Sequence, residues 1–100
     1  TEIYTLSLHD ALPIWWHKEH EIDAVVTNPE KKEILFVECK WKSLDRTAAG
    51  RILSGLERKS GYVQWNNESR KEYFALFAKK IDGKEALREK GYSVFDLDDL

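Results

Sequence analysis

An apolar run that ends in a charged triplet constrains the fold of this chain more than any other feature. Residues Ile34–Val37 are all apolar, and Glu38, Cys39 and Lys40 follow directly. A continuous apolar run of this length is typical of a buried strand. Side chains alternate between the two faces of a strand, so we expect Glu38 and Lys40 to point the same way.

The segment before this run predicts a second strand that folds back beside it. Residues 21–27 alternate in polarity, and Asn28 and Pro29 then provide a turn. A hairpin built this way brings Asp23 towards Glu38 and Lys40. Two carboxylates with one ammonium suit a divalent cation and a scissile phosphate, because Mg²⁺ and Mn²⁺ prefer oxygen ligands. The bland alternative is a salt bridge between Glu38 and Lys40 at a strand end.

The first residues have an unusual sequence. Residues 5–14 match, residue for residue, one translated frame of a common short-read sequencing adapter. We therefore expect residues 1–14 to be an artefactual leader and residues 15–100 to be a domain that lacks its N-terminal part. The alternative is a natural N-terminal strand over residues 3–8.

Composition sets the class of protein. The chain has 100 residues, of which 42% are hydrophobic, enough for one small domain with a core. No apolar run is long enough to predict a membrane span. The lone cysteine, Cys39, excludes an internal disulfide and favours a cytoplasmic location. Residues 31–90 carry 15 basic and 9 acidic side chains, which is compatible with a nucleic-acid partner, although ordinary surface scatter also explains it.

The hydrophobic periodicity predicts an α/β fold. After the hairpin, Ser43 or Asp45 can cap a helix that runs to about Lys59, with Ala49, Ile52, Leu53 and Leu56 on its apolar face. Residues 72–79 read as a strand, residues 83–90 as a short helix that Gly91 ends, and residues 92–95 as a last strand. Strands separated by helices predict a mixed sheet of about four strands with helical cover.

Other candidate residues have simpler explanations. Glu21 shares the predicted face of Asp23 and is either a further metal ligand or a solvated residue. His17 and His20 lack the partners of a zinc site and are expected at the surface. Cys39 points away from Glu38, and we expect a small buried residue, not a nucleophile. The four tryptophans are suited to stacking on bases, but core packing is the expected role of most of them.

These residues together resemble a known superfamily. Asp23, then Glu38-Cys39-Lys40 on the adjacent strand, then a helix, is similar to the PD-(D/E)xK nucleases, although Ile22 stands where that name has proline. The wider pattern resembles the domain of unknown function at the C-terminus of archaeal-type ATPases. It comprises Trp15-Trp16, Glu21-Ile22-Asp23, Glu38-Cys39-Lys40-Trp41, Leu53, Leu56, Tyr73-Phe74-Ala75-Leu76-Phe77 and Val94-Phe95-Asp96-Leu97.

This resemblance implies a fold, a set of site residues and a function. The fold would be a restriction-endonuclease-like mixed β-sheet flanked by helices. Asp23 and Glu38 would bind Mg²⁺ or Mn²⁺, with the Cys39 carbonyl as a third ligand, and Lys40 would be the catalytic lysine. The substrate would be DNA, and the partner an ATPase domain of the same full-length chain. The alternative is a non-cleaving nucleic-acid-binding or regulatory module. A metal-free interaction domain is a third hypothesis, but it leaves Glu38 and Lys40 unexplained.

Overall fold

A computed structural model describes residues 22–100 and the backbone of residues 5–8. The described parts form a mixed α/β structure. In chain order its elements are β1 (Thr5–Leu8), β2 (Ala24–Asn28), β3 (Glu33–Leu44), α1 (Arg46–Ser60), β4 (Lys71–Ile81), α2 (Lys84–Glu89), β5 (Ser93–Phe95) and a 3-10 helix (Leu97–Asp99). The predicted order of strands and helices after residue 20 is confirmed.

The strands form one sheet in the order β1-β2-β3-β4-β5. The pairs β1–β2 and β2–β3 are antiparallel, and the pairs β3–β4 and β4–β5 are parallel. Along the sequence, a helix connects the two strands of each parallel pair, as a parallel connection requires. The predicted mixed sheet with helical cover is therefore confirmed, with β3 at its centre.

Strand boundaries differ from the predicted ones mainly at β3. The apolar run predicted a strand that ends near Trp41, whereas β3 continues to Leu44. Its last residues pair with the parallel neighbour, as Ser43 does with Lys80. Backbone pairing to β4 sustains this stretch, in which Lys42 and Ser43 are exposed and Leu44 is buried in the core. Hydrophobic periodicity gives no signal for such an extension.

A fifth strand lies within the segment that matches the sequencing adapter. Thr5–Leu8 pairs with Thr27–Ala24 of β2 and forms one edge of the sheet. An edge strand is held by backbone hydrogen bonds, which almost any sequence without proline can make. The presence of β1 therefore does not decide the origin of residues 1–14, and the predicted artefactual leader stays a prediction. Residues 1–4 and 9–14 lie outside the described parts of the chain.

The helix α1 begins and packs as its sequence predicts. Asp45 is its N-cap, and its Oδ1 accepts a hydrogen bond from Ala48 N at 2.7 Å. Its inner face buries Ala49, Leu53 and Leu56 against the sheet. Gly91, at φ +97°, follows α2 in the left-handed conformation that favours glycine.

The core lies between α1 and one face of the sheet. Ile22 and Leu56 pack with Phe36 at one end, and Leu53 packs with Leu76 and Val94 at the other. Burial of these side chains fixes which face of each strand points towards α1. Within residues 22–100, no helix has the length and hydropathy that crossing a membrane requires.

Candidate carboxylate–lysine site

The hairpin of β2 and β3 brings the two predicted carboxylates together. The antiparallel register pairs Ala24 with Val37, so Asp23 lies opposite Glu38, one position beyond the paired residues. Residues opposite one another in antiparallel strands point to the same face. For this pair it is the face covered by α1, since Val25 and Phe36 on the same face belong to the core.

Asp23 is held in place by the backbone of β3. Its Oδ2 accepts a hydrogen bond from Cys39 N at 2.8 Å. Asp23 is close enough to Glu38 for its negative charge to raise the pKa of Glu38. The predicted convergence of Asp23 with Glu38 therefore occurs in the structure.

Glu38 is buried without a hydrogen bond to one of its oxygens. The residue is 5% exposed, and its Oε1 has no hydrogen-bond donor. Buried polar atoms in proteins are nearly always hydrogen-bonded, so each exception requires an explanation. A carboxylate kept in this state is available to a ligand that offers positive charge.

Two lysines approach Glu38 from different elements. Lys40 Nζ lies 3.9 Å from Oε2, and Lys59 Nζ lies 3.6 Å from Oε1. Both distances are ion-pair distances and are too long for hydrogen bonds. The predicted proximity of Lys40 to Glu38 is therefore present, and α1 adds a second ammonium.

Lys59 is the site residue that the sequence analysis missed. Glu38 lies six positions before Leu44, roughly 20 Å along β3 at a typical strand rise. α1 then runs back over the sheet, and Lys59 is also roughly 20 Å along it from Arg46 at the usual helical rise. The two distances match, so the last turn of α1 lies above Glu38. A signal was available, because Lys59 follows the buried Leu56 at i+3 on the inner face.

The electrostatics of the site oppose ionisation of Glu38. Burial raises the pKa of Glu38, and the negative charge of Asp23 raises it further. Lys59 and Lys40 lower it by a smaller amount. A carboxyl group whose pKa is raised by burial and by a second acid is typical of functional sites.

A bulge in β3 directly follows Lys40. Lys40 pairs with Ala78 and Ser43 pairs with Lys80, so three steps along β3 match two steps along β4. The extra residue is a β-bulge, a feature that often lies beside active sites because it redirects side chains. Lys40 also lines a cavity of about 320 Å³ that opens on the other face of the sheet.

One prediction about a neighbouring residue is wrong. Cys39 is exposed, not buried, because β3 carries it onto the face of the sheet opposite α1. Partial desolvation of the thiol raises the pKa of Cys39 although the residue is exposed, and Asp23 and Glu38 raise it further, so a thiolate nucleophile is disfavoured. Trp41 is 72% exposed on the surface, not packed in the core. Trp65 does pack against the core, as expected.

The exposed Trp41 belongs to an aromatic patch, which consists of Trp41, Phe77 and Phe95. Phe77 and Phe95 stack with ring centroids 5.1 Å apart, and Lys79 Nζ lies 5.9 Å from the Trp41 ring. All three rings line or adjoin the 320 Å³ cavity that Lys40 shares. The patch thus lies beside the carboxylate–lysine site, on the other face of the sheet.

The residues present fit a divalent cation, although the ligand set is small. Asp23 and Glu38 supply carboxylate oxygens, and the orphaned buried oxygen of Glu38 is what a hard cation would satisfy. In residues 22–100, no cluster of three or more His, Cys, Asp or Glu side chains is placed to hold a metal. The Cys39 carbonyl as third ligand stays a prediction. Glu21, His17, His20, Trp15 and Trp16 lie outside the described residues.

Comparison with known proteins gives a family match and one distant relative. The family DUF234, described as archaeal and bacterial proteins of unknown function, matches residues 7–52. This match includes Asp23, Glu38 and Lys40 and starts inside the segment assigned to the leader. An uncharacterized protein of Methanocaldococcus jannaschii is 39% identical over 86 residues, which is 86% of this chain. The chain spans 18% of the length of that relative. No solved structure matches the chain.

Proposed function

We propose that this chain carries a metal-dependent nuclease-like domain that acts on DNA phosphodiesters. The observation that carries the proposal is the meeting of Asp23 and Glu38 with Lys40 on one sheet face, where Glu38 is buried without a hydrogen bond to one oxygen. An unsatisfied buried carboxylate beside a second acid is costly for folding, so a role in ligand binding is the simplest explanation.

Each residue has a definite role in this proposal. Asp23 and Glu38 hold Mg²⁺ or Mn²⁺, and Lys40 stabilises the negative charge that develops on the phosphate or orients the attacking water. When bound, the cation supplies Lewis-acid charge at the phosphate oxygens. The hydrogen bond from Cys39 N keeps the Asp23 carboxylate in position.

The setting of the domain is also part of the proposal. The similarity to a much longer archaeal relative is consistent with a module of a larger protein. We propose an archaeal-type ATPase as that larger protein, with the ATPase domain as intramolecular partner, DNA as substrate and the cytoplasm as location.

A second function, a non-cleaving nucleic-acid-binding or regulatory module, is favoured by the aromatic patch. Exposed rings beside lysines can stack on unpaired bases or dock a partner domain. Under this alternative the carboxylates bind a cation weakly or not at all, and contacts with Trp41 provide the affinity.

Plasmid nicking with Mg²⁺ or Mn²⁺ separates the two functions. In the full-length protein we expect Asp23→Ala and Glu38→Ala to abolish cleavage, because the cation loses a ligand. Lys40→Ala should lower cleavage while metal binding is largely kept, because its ammonium acts on the reaction. Asp45→Asn is a matched control, since it changes an acidic residue that caps α1 and lies outside the site. Unchanged cleavage in Glu38→Ala would refute the nuclease site.

A wild-type protein that is folded and binds DNA but never cuts it would favour the binding module. In that case Trp41→Ala should weaken DNA binding, whereas Glu38→Ala should leave it intact. If the domain is a nuclease, Glu38→Ala removes cutting, and the effect of Trp41→Ala is confined to affinity.

A further inference from the structure

The position of Lys59 gives it a distinct role, and this inference rests on the proposed metal site. Lys59 and Lys40 each face a different oxygen of Glu38. Oε1, the oxygen without a hydrogen bond, is the one that faces Lys59. Lys59 Nζ therefore occupies the side of Glu38 from which a cation would satisfy this oxygen.

Charge balance shows why both lysines cannot stay while a cation binds. Asp23 and Glu38 bring two negative charges, and Lys40 and Lys59 bring two positive ones, so the four side chains are together neutral when all are ionised. A divalent cation added to this group meets two ammonium groups within a few ångström, and repulsion at that distance is substantial. One lysine must withdraw for the ion to bind well.

Lys59 is the lysine that a cation at Oε1 must displace, because it is the one that faces this oxygen. It belongs to the last turn of α1, where its side chain is 33% exposed and has a path to solvent. The lysine side chain is long and flexible, and its ammonium stays strongly hydrated. Lys40 is more exposed, at 44%, but it faces the other oxygen, Oε2, at 3.9 Å.

We propose that Lys59 is the internal counter-cation of Glu38, which a divalent cation must displace, and that the displaced ammonium then contacts a phosphate of the nucleic acid. Lys59 thus lowers metal affinity in the free protein and raises affinity for the polyanion once metal is bound. It is a positioning residue that couples the two ligands at one site. No base or sequence is selected by this contact, because an ammonium on a phosphate carries no sequence information.

The test compares Lys59→Gln with Lys59→Arg and with Lys90→Gln. Lys59→Gln removes the charge, Lys59→Arg keeps a cation, and Lys90→Gln removes the same charge from the exposed turn after α2. The probe is Mn²⁺, with the free ion followed by electron paramagnetic resonance. Circular dichroism and thermal unfolding establish that each variant is folded, and Glu38→Gln identifies binding that depends on the site.

Lys59→Gln should bind Mn²⁺ roughly fivefold or more tightly than wild type, because a neighbouring positive charge is gone. Lys59→Arg and Lys90→Gln should stay close to wild type. DNA binding, measured with Ca²⁺ as the cation, should weaken in Lys59→Gln. The slope of the logarithm of the DNA-binding constant against the logarithm of the salt concentration should become smaller in magnitude by about one unit.

One result overturns the role of Lys59 and leaves the metal site standing. In it, wild type binds Mn²⁺, Glu38→Gln abolishes that binding, and a folded Lys59→Gln binds Mn²⁺ no more tightly than wild type. If Lys59 has only a structural role, Lys59→Gln should lower the Tm without a gain in Mn²⁺ affinity. Absence of Mn²⁺ binding in wild type overturns both this inference and the proposed metal site.

Discussion

Two buried carboxylates of this protein lie among lysines and other acids, yet their hydrogen bonding differs. Asp96 accepts hydrogen bonds from Ile81 N at 2.8 Å, from Lys84 Nζ at 2.7 Å and from Asp98 N at 3.0 Å. Glu38 accepts none at Oε1 and keeps its two lysines at 3.6 and 3.9 Å. Both residues are 5% exposed, so burial alone does not distinguish them.

The difference in surroundings moves the two pKa values in opposite directions. The Lys84 hydrogen bond, followed by that of Ile81 N, holds the pKa of Asp96 below its ordinary value. Burial, followed by Asp23, raises the pKa of Glu38. A carboxylate with satisfied hydrogen bonds stabilises its fold, whereas one without them is a candidate for function. The arrangement of donors, and not the composition of the cluster, makes this distinction.

Asp96→Ala should cause the largest change, because it removes the carboxylate that joins the end of β4 to α2 and the 3-10 helix. Ile81 N would lose its partner inside the protein, and Lys84 would keep only its ion pair with Asp99. We expect a larger fall in Tm than for Asp98→Ala or Tyr92→Phe, measured by circular dichroism. The matched control is Asp98→Ala, an exposed acid in the same short helix that keeps its backbone N–H. Equal Tm values for these two variants would show that Asp96 is no more structural than Asp98.

Glu38→Gln should have the opposite effect on the metal-free protein. The substitution keeps the shape of the side chain and removes a buried charge that lies next to Asp23. We expect a gain of about 1 kcal/mol in the free energy of unfolding near neutral pH, the usual size of a single stabilising substitution. Urea denaturation measures it. A loss of stability would mean that Lys40 and Lys59 already satisfy Glu38, and the contrast with Asp96 would disappear.

The pH dependence of stability should separate the two carboxylates by sign. Asp96 has a lowered pKa, so its contribution is present above the ordinary Asp value of about 3.9 and is lost as pH falls through the lower folded value. Glu38 has a raised pKa, so its contribution is present below about 4.3 and is lost as pH rises through the folded value.

Tm measured from pH 3 to 7 checks these signs. The amount by which the Tm of Asp96→Asn lies below that of wild type should shrink towards pH 3. The amount by which the Tm of Glu38→Gln lies above that of wild type should grow as pH rises towards 7. Curves that stay parallel to wild type for both variants would contradict the assigned shifts.

Tyr92→Phe should cause the smallest change. Its hydroxyl donates a hydrogen bond to Glu57 Oε1 at an exposed position, and Glu57 raises the pKa of Tyr92 to about 12. Exposed pairs of this kind contribute little, so we expect a loss of at most about 1 kcal/mol in urea denaturation. A larger loss would contradict the small contribution expected of an exposed hydrogen bond.

The sequence predicted those parts of the fold and site that depend on local patterns. The run over Ile34–Val37 and the Asp45 cap each follow from periodicity or from backbone chemistry, and the structure confirms them. The convergence of Asp23 with Glu38 was predictable because a hairpin sets its own register. These features need few residues and short sequence separations.

The features that the sequence did not reveal depend on how separate elements pack. Lys59 reaches Glu38 because the length of α1 matches the length of β3 beyond that residue. Cys39 and Trp41 are exposed because, within residues 22–100, α1 covers the other face of the sheet. The hydrogen bonds of Asp96 join three segments of chain, namely the end of β4, α2 and the 3-10 helix. None of these relations appears in a periodic pattern.

A crystal of the protein soaked in Mn²⁺ tests directly whether Asp23 and Glu38 hold the cation. The anomalous signal of the ion locates it without assumptions about ligands. We expect a peak between Asp23 and Glu38, with carboxylate oxygens at about 2.0–2.3 Å from the ion and the Lys59 ammonium moved away from Glu38. A well-ordered site with no peak, and with Lys59 still beside Glu38 at saturating Mn²⁺, would contradict it.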